Sequence, residues 1–393
     1  MYPELWRTHP ALAIASLVPV LLGAAWMAFA RGLPVLREHR ALVTAATWIA
    51  TRVAFAVIVW GVFGHMSLDS RTWFVPQARA VLAGGLPYRD FQSVHGPLFA
   101  PLLAPAVALF GDLGPGIVFL AADLVTWRAL AAAEGEASDA AWAWVAMPIV
   151  WFSVVRYTQD EPLAALFVAL AWLASKRERP VAAGLALAAG FLCSKPLLPL
   201  PALALFAGMR GARARTRLVL AAIIPVALVY ADFAALGAPV LQPLTLEGGA
   251  FGTGPTLWRL PVVFGHIDPG LWGWLPFVAL AAWGLARLGV RGAGAPAHAA
   301  WQYGAFAALS PKFLPMYALL WTPLLGVWAG AEPRRKTWLV LEGTLLALAW
   351  PLESGPLQGL FGPAWRALAI LGIAAMGLLA LWPIAEETAR ARR

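Results

Sequence analysis

Long apolar runs separated by short polar clusters dominate the chain. Thirteen runs approach the length of a bilayer-spanning helix: 10–30, 41–63, 116–133, 140–156, 161–174, 181–194, 196–209, 218–236, 271–286, 297–309, 313–329, 337–351 and 364–384. A helix needs about 20 apolar residues to cross the hydrocarbon core, so the shorter runs must borrow flanking residues. Pro97–Phe110 is apolar too, but it is short and interrupted by Pro97, Pro101 and Pro105. It reads as a re-entrant or interfacial segment, because proline inside a helix costs about 3 kcal/mol. The predicted fold is all-α, a single polytopic membrane domain over 1–393 with about 12–13 transmembrane helices.

Composition supports that reading. Of 393 residues, 61% are hydrophobic and 12% charged, against roughly 25% charged in an average soluble protein. Too little charge is present to solvate a soluble surface of this size. The 36 Gly and 32 Pro suit membrane helices, whose neighbours satisfy freed backbone groups. The one cysteine, Cys193, excludes an internal disulfide and a cysteine metal cluster. The N-terminus lacks the basic region and cleavage site of a signal peptide, so cleavage is not expected.

The net charge of +9 is informative through its placement. Of 29 Lys and Arg, 18 fall in Arg31–Arg40, Ser175–Pro180, Arg210–Arg217, Arg287–Pro296, Glu332–Lys336 and the tail from Ala385. Taking these loops as cytoplasmic makes every run alternate; only the acidic loop Glu134–Asp139 departs from the pattern. Nucleic acid is not an expected partner, since no basic helix stands clear of the apolar runs. The opposite, extracytoplasmic loops are 64–115, Arg156–Asp160, Gly237–Gly270, Ser310–Lys312 and Leu352–Pro363.

Two of these loops carry acids. Asp69 lies in His65-Met66-Ser67-Leu68-Asp69-Ser70, before an expected interfacial helix whose apolar face is Phe74, Ala78, Val81 and Leu82. Gly84-Gly85-Leu86-Pro87 ends that helix. Asp69 reads either as a lead-in or cap of the helix or as a general base at a cavity mouth; spacing favours the cap. Asp160 and Glu161, in Arg156-Tyr157-Thr158-Gln159-Asp160-Glu161-Pro162, read equally as cap or as function. On the same face lie Arg71, Arg89, Arg156, Lys195, Arg259 and Lys312. They read as cations snorkelling to headgroups or as donors to a phosphate. Within the runs, Arg52, Asp123, Arg128, Asp232, Glu342 and Arg366 are costly charges; an Arg–Asp structural pair involving Asp123 is expected, while Asp232 and Arg366 could line an outer cavity. His95 and His266 are loop histidines without metal-binding spacing.

Several of these stretches also resemble a family. Asp69-x3-Trp73, Ala78, Ala80, Gly84, Gly85, Pro87-Tyr88-Arg89-Asp90-Phe91 and Gly96-Pro97-Leu98 resemble the first outer loop of the GT-C membrane glycosyltransferases. Gln159-Asp160-Glu161-Pro162-Leu163, Ala183-Gly184-Leu185 and Lys195-Pro196 resemble their second acidic loop and the helices after it. Ser310-Pro311-Lys312-Phe313, before Tyr317, Trp321 and Pro323, resembles a later outer turn of members that use polyprenyl-phosphate-mannose. The resemblance covers about residues 41–330. It implies transfer of a sugar, such as mannose, from a polyprenyl-phosphate donor to a glycan, lipid or protein acceptor. Transfer would occur at the outer face of the plasma membrane, with inversion.

By that resemblance Asp69 would be the base, and Asp160 or Glu161 the second acid. Arg71, Tyr88, Arg89, His95, Arg156, Lys195, Arg259 and Lys312 are the expected substrate-binding residues. A divalent metal ion is an open possibility, since Asp69-Ser70-Arg71 is not an Asp-x-Asp pair. The competing reading is a transporter or flippase for lipid-linked sugars, which would not need Asp69.

Overall fold

The structure is a computed structural model describing residues 10–195, 197–248, 256–258, 261–262, 265–267, 270–290, 292–354, 371–372 and 375. The site candidate Arg259, Arg366 and all of the expected run 364–384 except 371–372 and 375 lie outside the described residues.

Helices make up most of the described residues, among which there is no strand. In chain order they are α1 (Pro10–Phe29), α2 (Arg40–Val62, with wide π-helical turns from Ile49), α3 (Val75–Leu82), α4 (Phe99–Phe110), α5 (Gly114–Glu134), α6 (Asp139–Ala146) and α7 (Pro148–Trp151). Then follow α8 (Glu161–Lys176), α9 (Pro180–Cys193), α10 (Pro199–Gly208), α11 (Ala212–Ala235), α12 (Gln242–Gly248), α13 (Leu275–Val290), α14 (Ala295–Leu309), α15 (Thr322–Gly330) and α16 (Pro333–Ser354).

Every described apolar run holds a helix, with prolines setting the breaks. The run 140–156 divides at Met147, which is extended (ψ 121) because it precedes Pro148. The run 313–329 divides into a 3-10 stretch, Pro315–Leu320, and α15. The ten-residue α10 rises only about 15 Å at 1.5 Å per residue, short of the ~30 Å core. The crossing expected at 196–209 therefore depends on irregular backbone beside Lys195. Pro97–Phe110 holds α4, which doubles back on α5 after Gly111, whose φ of +58 suits glycine.

α1, α2, α11 and α13 leave large apolar side chains uncovered, among them Leu22 at 65%, Val62 at 71% and Leu228 at 62% exposed. In water such a surface would drive association; in a bilayer it meets lipid. The molecule is a multi-pass helical membrane protein. Its inner core gathers Trp144, Trp321, Tyr303, Tyr317, Phe306 and Phe313, all nearly fully buried. α9 and α11 approach closely at Gly184, where a Cβ would lie 2.3 Å from the Leu218 carbonyl oxygen.

The expected Arg–Asp pair forms within the helices. Arg52 grips Asp123 through Nε and Nη2, each at 3.1 Å, and both residues are fully buried. Trp48 donates to the same carboxylate at 2.6 Å, and Arg52 donates onward to the Val145 and Trp144 carbonyls. Arg128 instead pairs with Glu136 at 2.9 Å. Tyr303 donates to buried Glu342, whereas Asp232 is exposed.

Alternation of the helices separates the loops into two ends. At one end the acidic loop Glu134–Asp139 meets the basic loops: Glu134 with Lys176 at 3.3 Å and Asp139 with Lys336 at 2.7 Å. Its acidity thus has a local use. The other end carries Asp69, Asp160, Lys195 and Lys312.

Candidate active site

Asp69 stands at the start of a π-helical turn, Ser70–Phe74, that leads into α3. Its side chain does not cap that turn. Ser67 takes the capping role, its Oγ accepting from the Ser70 N–H at 3.1 Å. The Asp69 carboxylate instead accepts from Gln159 Nε2 at 2.7 Å. The expected apolar face holds at Phe74 and Ala78, both buried, while Val81 is half-buried and Leu82 is 53% exposed. Arg79 points outward to Asp112 at 2.8 Å.

Asp160 likewise sits at the N-cap of α8 without capping it. Lys195 Nζ lies 2.9 Å from Asp160 and 2.6 Å from Glu161, at the end of α9 where Cys193-Ser194 leaves the helix. The Nε2 of His95 is 3.4 Å from the other Asp160 oxygen. Asp160 and Glu161 are almost wholly buried, so the pair depends on Lys195 for compensation. Burial alone would raise the Asp160 pKa, but Lys195 and then His95 overcome it and hold the carboxyl below its usual range. Burial opposes the charge on Lys195, yet Asp160, Glu161 and Tyr317 keep the ammonium well above its ordinary value.

His95 is held by its neighbours. Its ring stacks on Phe99 at 3.9 Å and meets the edge of Phe74 at 5.6 Å, and Tyr88 donates to its carbonyl at 2.5 Å. The next residue must be glycine: a Cβ on Gly96 would lie 2.3 Å from the Leu192 and Phe191 carbonyl oxygens. That contact, with Gly96 N–H donating to the Ser194 carbonyl at 2.7 Å, straps the long loop onto the end of α9 beside Lys195.

Tyr317 closes the cluster. The Lys195 ammonium lies 5.1 Å from its ring centre, and Asp69, Asp160, Glu161 and Lys195 all act on it electrostatically. Lys312, five residues earlier, is half-buried in a turn that Ser310 braces by accepting from the Lys312 N–H at 3.1 Å. Burial first, then repulsion from Lys195, lowers its pKa to about 8. On the Arg156 side, His65 is lowered to about 4 by burial and by the charges of Arg156 and Arg71, so it is neutral at pH 7.

The fold thus brings Asp69, His95, Arg156, Asp160, Glu161, Lys195 and Lys312 to one end of the bundle. Arg89 stands apart: it is exposed, pairs with its neighbour Asp90 at 2.9 Å and reaches the Leu236 carbonyl. Arg71 is exposed as well. Tyr88 is buried and acts on His95 rather than on a cavity. Gln159 and Tyr317 were not singled out as site residues from spacing. Nothing in the sequence directs a glutamine across 90 positions to an aspartate. Among the described residues no three His, Cys, Asp or Glu side chains form a group fit for a metal ion, and Lys195 occupies the space between the two acids nearest one another. A divalent ion does not fit that donor set.

No family model and no curated protein matches the chain. Among solved structures, the crystal structure of ArnT from Cupriavidus metallidurans bound to undecaprenyl phosphate is similar, at 15% identity and a TM-score of 0.49. The similarity covers 89% of this chain and 76% of that one.

Proposed function

We propose that the chain is a GT-C-type glycosyltransferase. It transfers a hexose, such as mannose, from a polyprenyl-phosphate donor to an acceptor hydroxyl at the extracytoplasmic face of the plasma membrane. The observation that carries this reading is the place of Asp69. Its carboxylate is withdrawn from capping and joined by Gln159 to the turn that bears the Asp160–Lys195–Glu161 cluster. A structural cap would not need that connection across the bundle.

In this mechanism Asp69 takes the proton from the acceptor hydroxyl as its oxygen bonds to the anomeric carbon. The bond from that carbon to the phosphate oxygen breaks, and the lipid phosphate leaves with the electron pair. Attack from the opposite face inverts the centre, through an oxocarbenium-like transition state as in glycoside hydrolysis. Gln159 orients the base. Lys195 is engaged by two carboxylates and serves as the strut that fixes the Gln159 turn. Lys312, with Arg156, supplies positive charge where negative charge grows on the departing phosphate.

Purified protein in detergent, given labelled polyprenyl-phosphate hexose and acceptor extract, is expected to transfer the sugar. Asp69→Asn should reduce turnover by roughly 10²–10⁴-fold while its thermal unfolding stays that of the wild type. Normal turnover in that variant overturns the base assignment. No transfer in detergent, together with movement of the lipid-linked sugar in sealed vesicles, would favour a transporter, whose function needs two compartments.

A further inference from the structure

The opposite end of the bundle holds a cavity of about 860 Å³, where the end of α8, the start of α9, the end of α10 and the starts of α11 and α14 meet. Lys176, Arg179, Arg210, Arg213 and Arg217 line it against one carboxylate, Glu178. Lys176 is shared with Glu134 and with the ring of Trp172. The four arginines have no ion-pair partner among the described residues. Three of the helices begin here, and none of their N-caps, Arg179, Gly211 and Gly294, offers a side chain to the first turn. The positive ends of the three helix dipoles add to the field of the arginines.

Basic loops at one membrane face are ordinary; what adjoins this cavity is not. An apolar groove of about 480 Å³ runs between α9, α10 and α11, lined by Leu187, Phe191, Phe206, Leu218, Ala222 and Val226. It begins within a turn of the cavity. Phe206 lies two residues before Gly208 of the cavity wall, and Leu218 follows Arg217 and stands one helical turn from Ala214. A cationic chamber and, about one helical turn further along the same three helices, an oily slot together have the charge and shape to take one kind of molecule. A free anion would leave the groove empty, and a neutral lipid would leave the arginines uncompensated.

We infer that this corner of the bundle binds one anionic glycerophospholipid, its phosphate among Arg210, Arg213 and Arg217 and an acyl chain in the groove. The site is independent of the transferase reading. It matches the leaflet rich in anionic lipid if the basic loops face the cytoplasm.

Native mass spectrometry of the full-length protein in detergent, titrated with phosphatidylglycerol or with phosphatidylcholine of the same chains, tests it. One phosphatidylglycerol should bind per chain, with clear preference over phosphatidylcholine. Replacing Arg210, Arg213 and Arg217 together by Gln should lower that preference by on the order of a hundredfold, since each such cation contributes about fivefold near anionic lipid. Ala222→Trp fills the groove and keeps every charge; it should weaken phosphatidylglycerol binding, which tests the site even if the triple variant does not fold. Millimolar inorganic phosphate should not displace the lipid. Equal binding of the two lipids, unchanged binding in Ala222→Trp, or displacement by phosphate each overturns the proposal.

Discussion

At Asp69 and Asp160 the residue type was legible and its use was not. Both occupy N-cap positions, where aspartate commonly accepts from backbone N–H groups, and neither does so here. A cap is a local interaction that spacing can suggest; the partners actually chosen, Gln159 for one and Lys195 with His95 for the other, come from distant parts of the chain. Lys312 permits a test at this scale. The folded state releases its proton near 8, below the ordinary lysine value of 10.5, through burial and repulsion from Lys195. Between these values the unfolded chain holds more protons, so Lys312 favours stability as pH rises through that window. Activity should run the other way: if its ammonium supports the leaving phosphate, kcat/KM falls above about pH 8. Lys312→Arg, whose charge persists, should move that alkaline limb upward. The same limb in the Arg variant would assign the titration to another group.

Among the elements, α2 and α5 are held together by Arg52 and Asp123, an ion pair with every strong donor engaged and no water contact. The pair was expected because two opposite charges inside apolar runs must find each other. Which arginine Asp123 takes was decided by packing: Arg128 shares its helix yet faces Glu136. Asp123→Leu leaves Arg52 charged in a dry site and should cost about 3–5 kcal/mol, whereas Arg52→Leu with Asp123→Leu should cost much less. Thermal unfolding in detergent measures both. A double variant as unstable as the single one would show that the helices depend on the pair for more than compensation. The shorter elements were harder to anticipate. A ten-residue apolar run with prolines reads alike as a buried helix, half a span or a re-entrant turn, and only its neighbours decide.

For the whole molecule, the alternation expected from lysine and arginine placement agrees with how the loops group: the basic loops meet at one end and the candidate site forms at the other. Sidedness in the cell follows as a prediction. With Cys193 replaced by serine, a cysteine at Ala83 should react with an impermeant thiol reagent added outside intact cells. One at Arg177 should react only after lysis. The reverse pattern would place the candidate site in the cytoplasm.

The chain by itself determined a membrane-embedded, all-helical molecule, the approximate position of the helices in its long apolar runs and the alternation of its loops; α12, inside the expected loop Gly237–Gly270, was not foreseen. These follow from local quantities: apolar length against bilayer thickness, proline against helix, and the count of basic residues in each loop. Tertiary structure alone decided that Asp69 reaches Gln159, that Lys195 joins two buried carboxylates, and that Gly96 lets the long loop lie against the end of α9. Such contacts join residues far apart in the chain, and the desolvation that makes them strong does not exist until the helices pack.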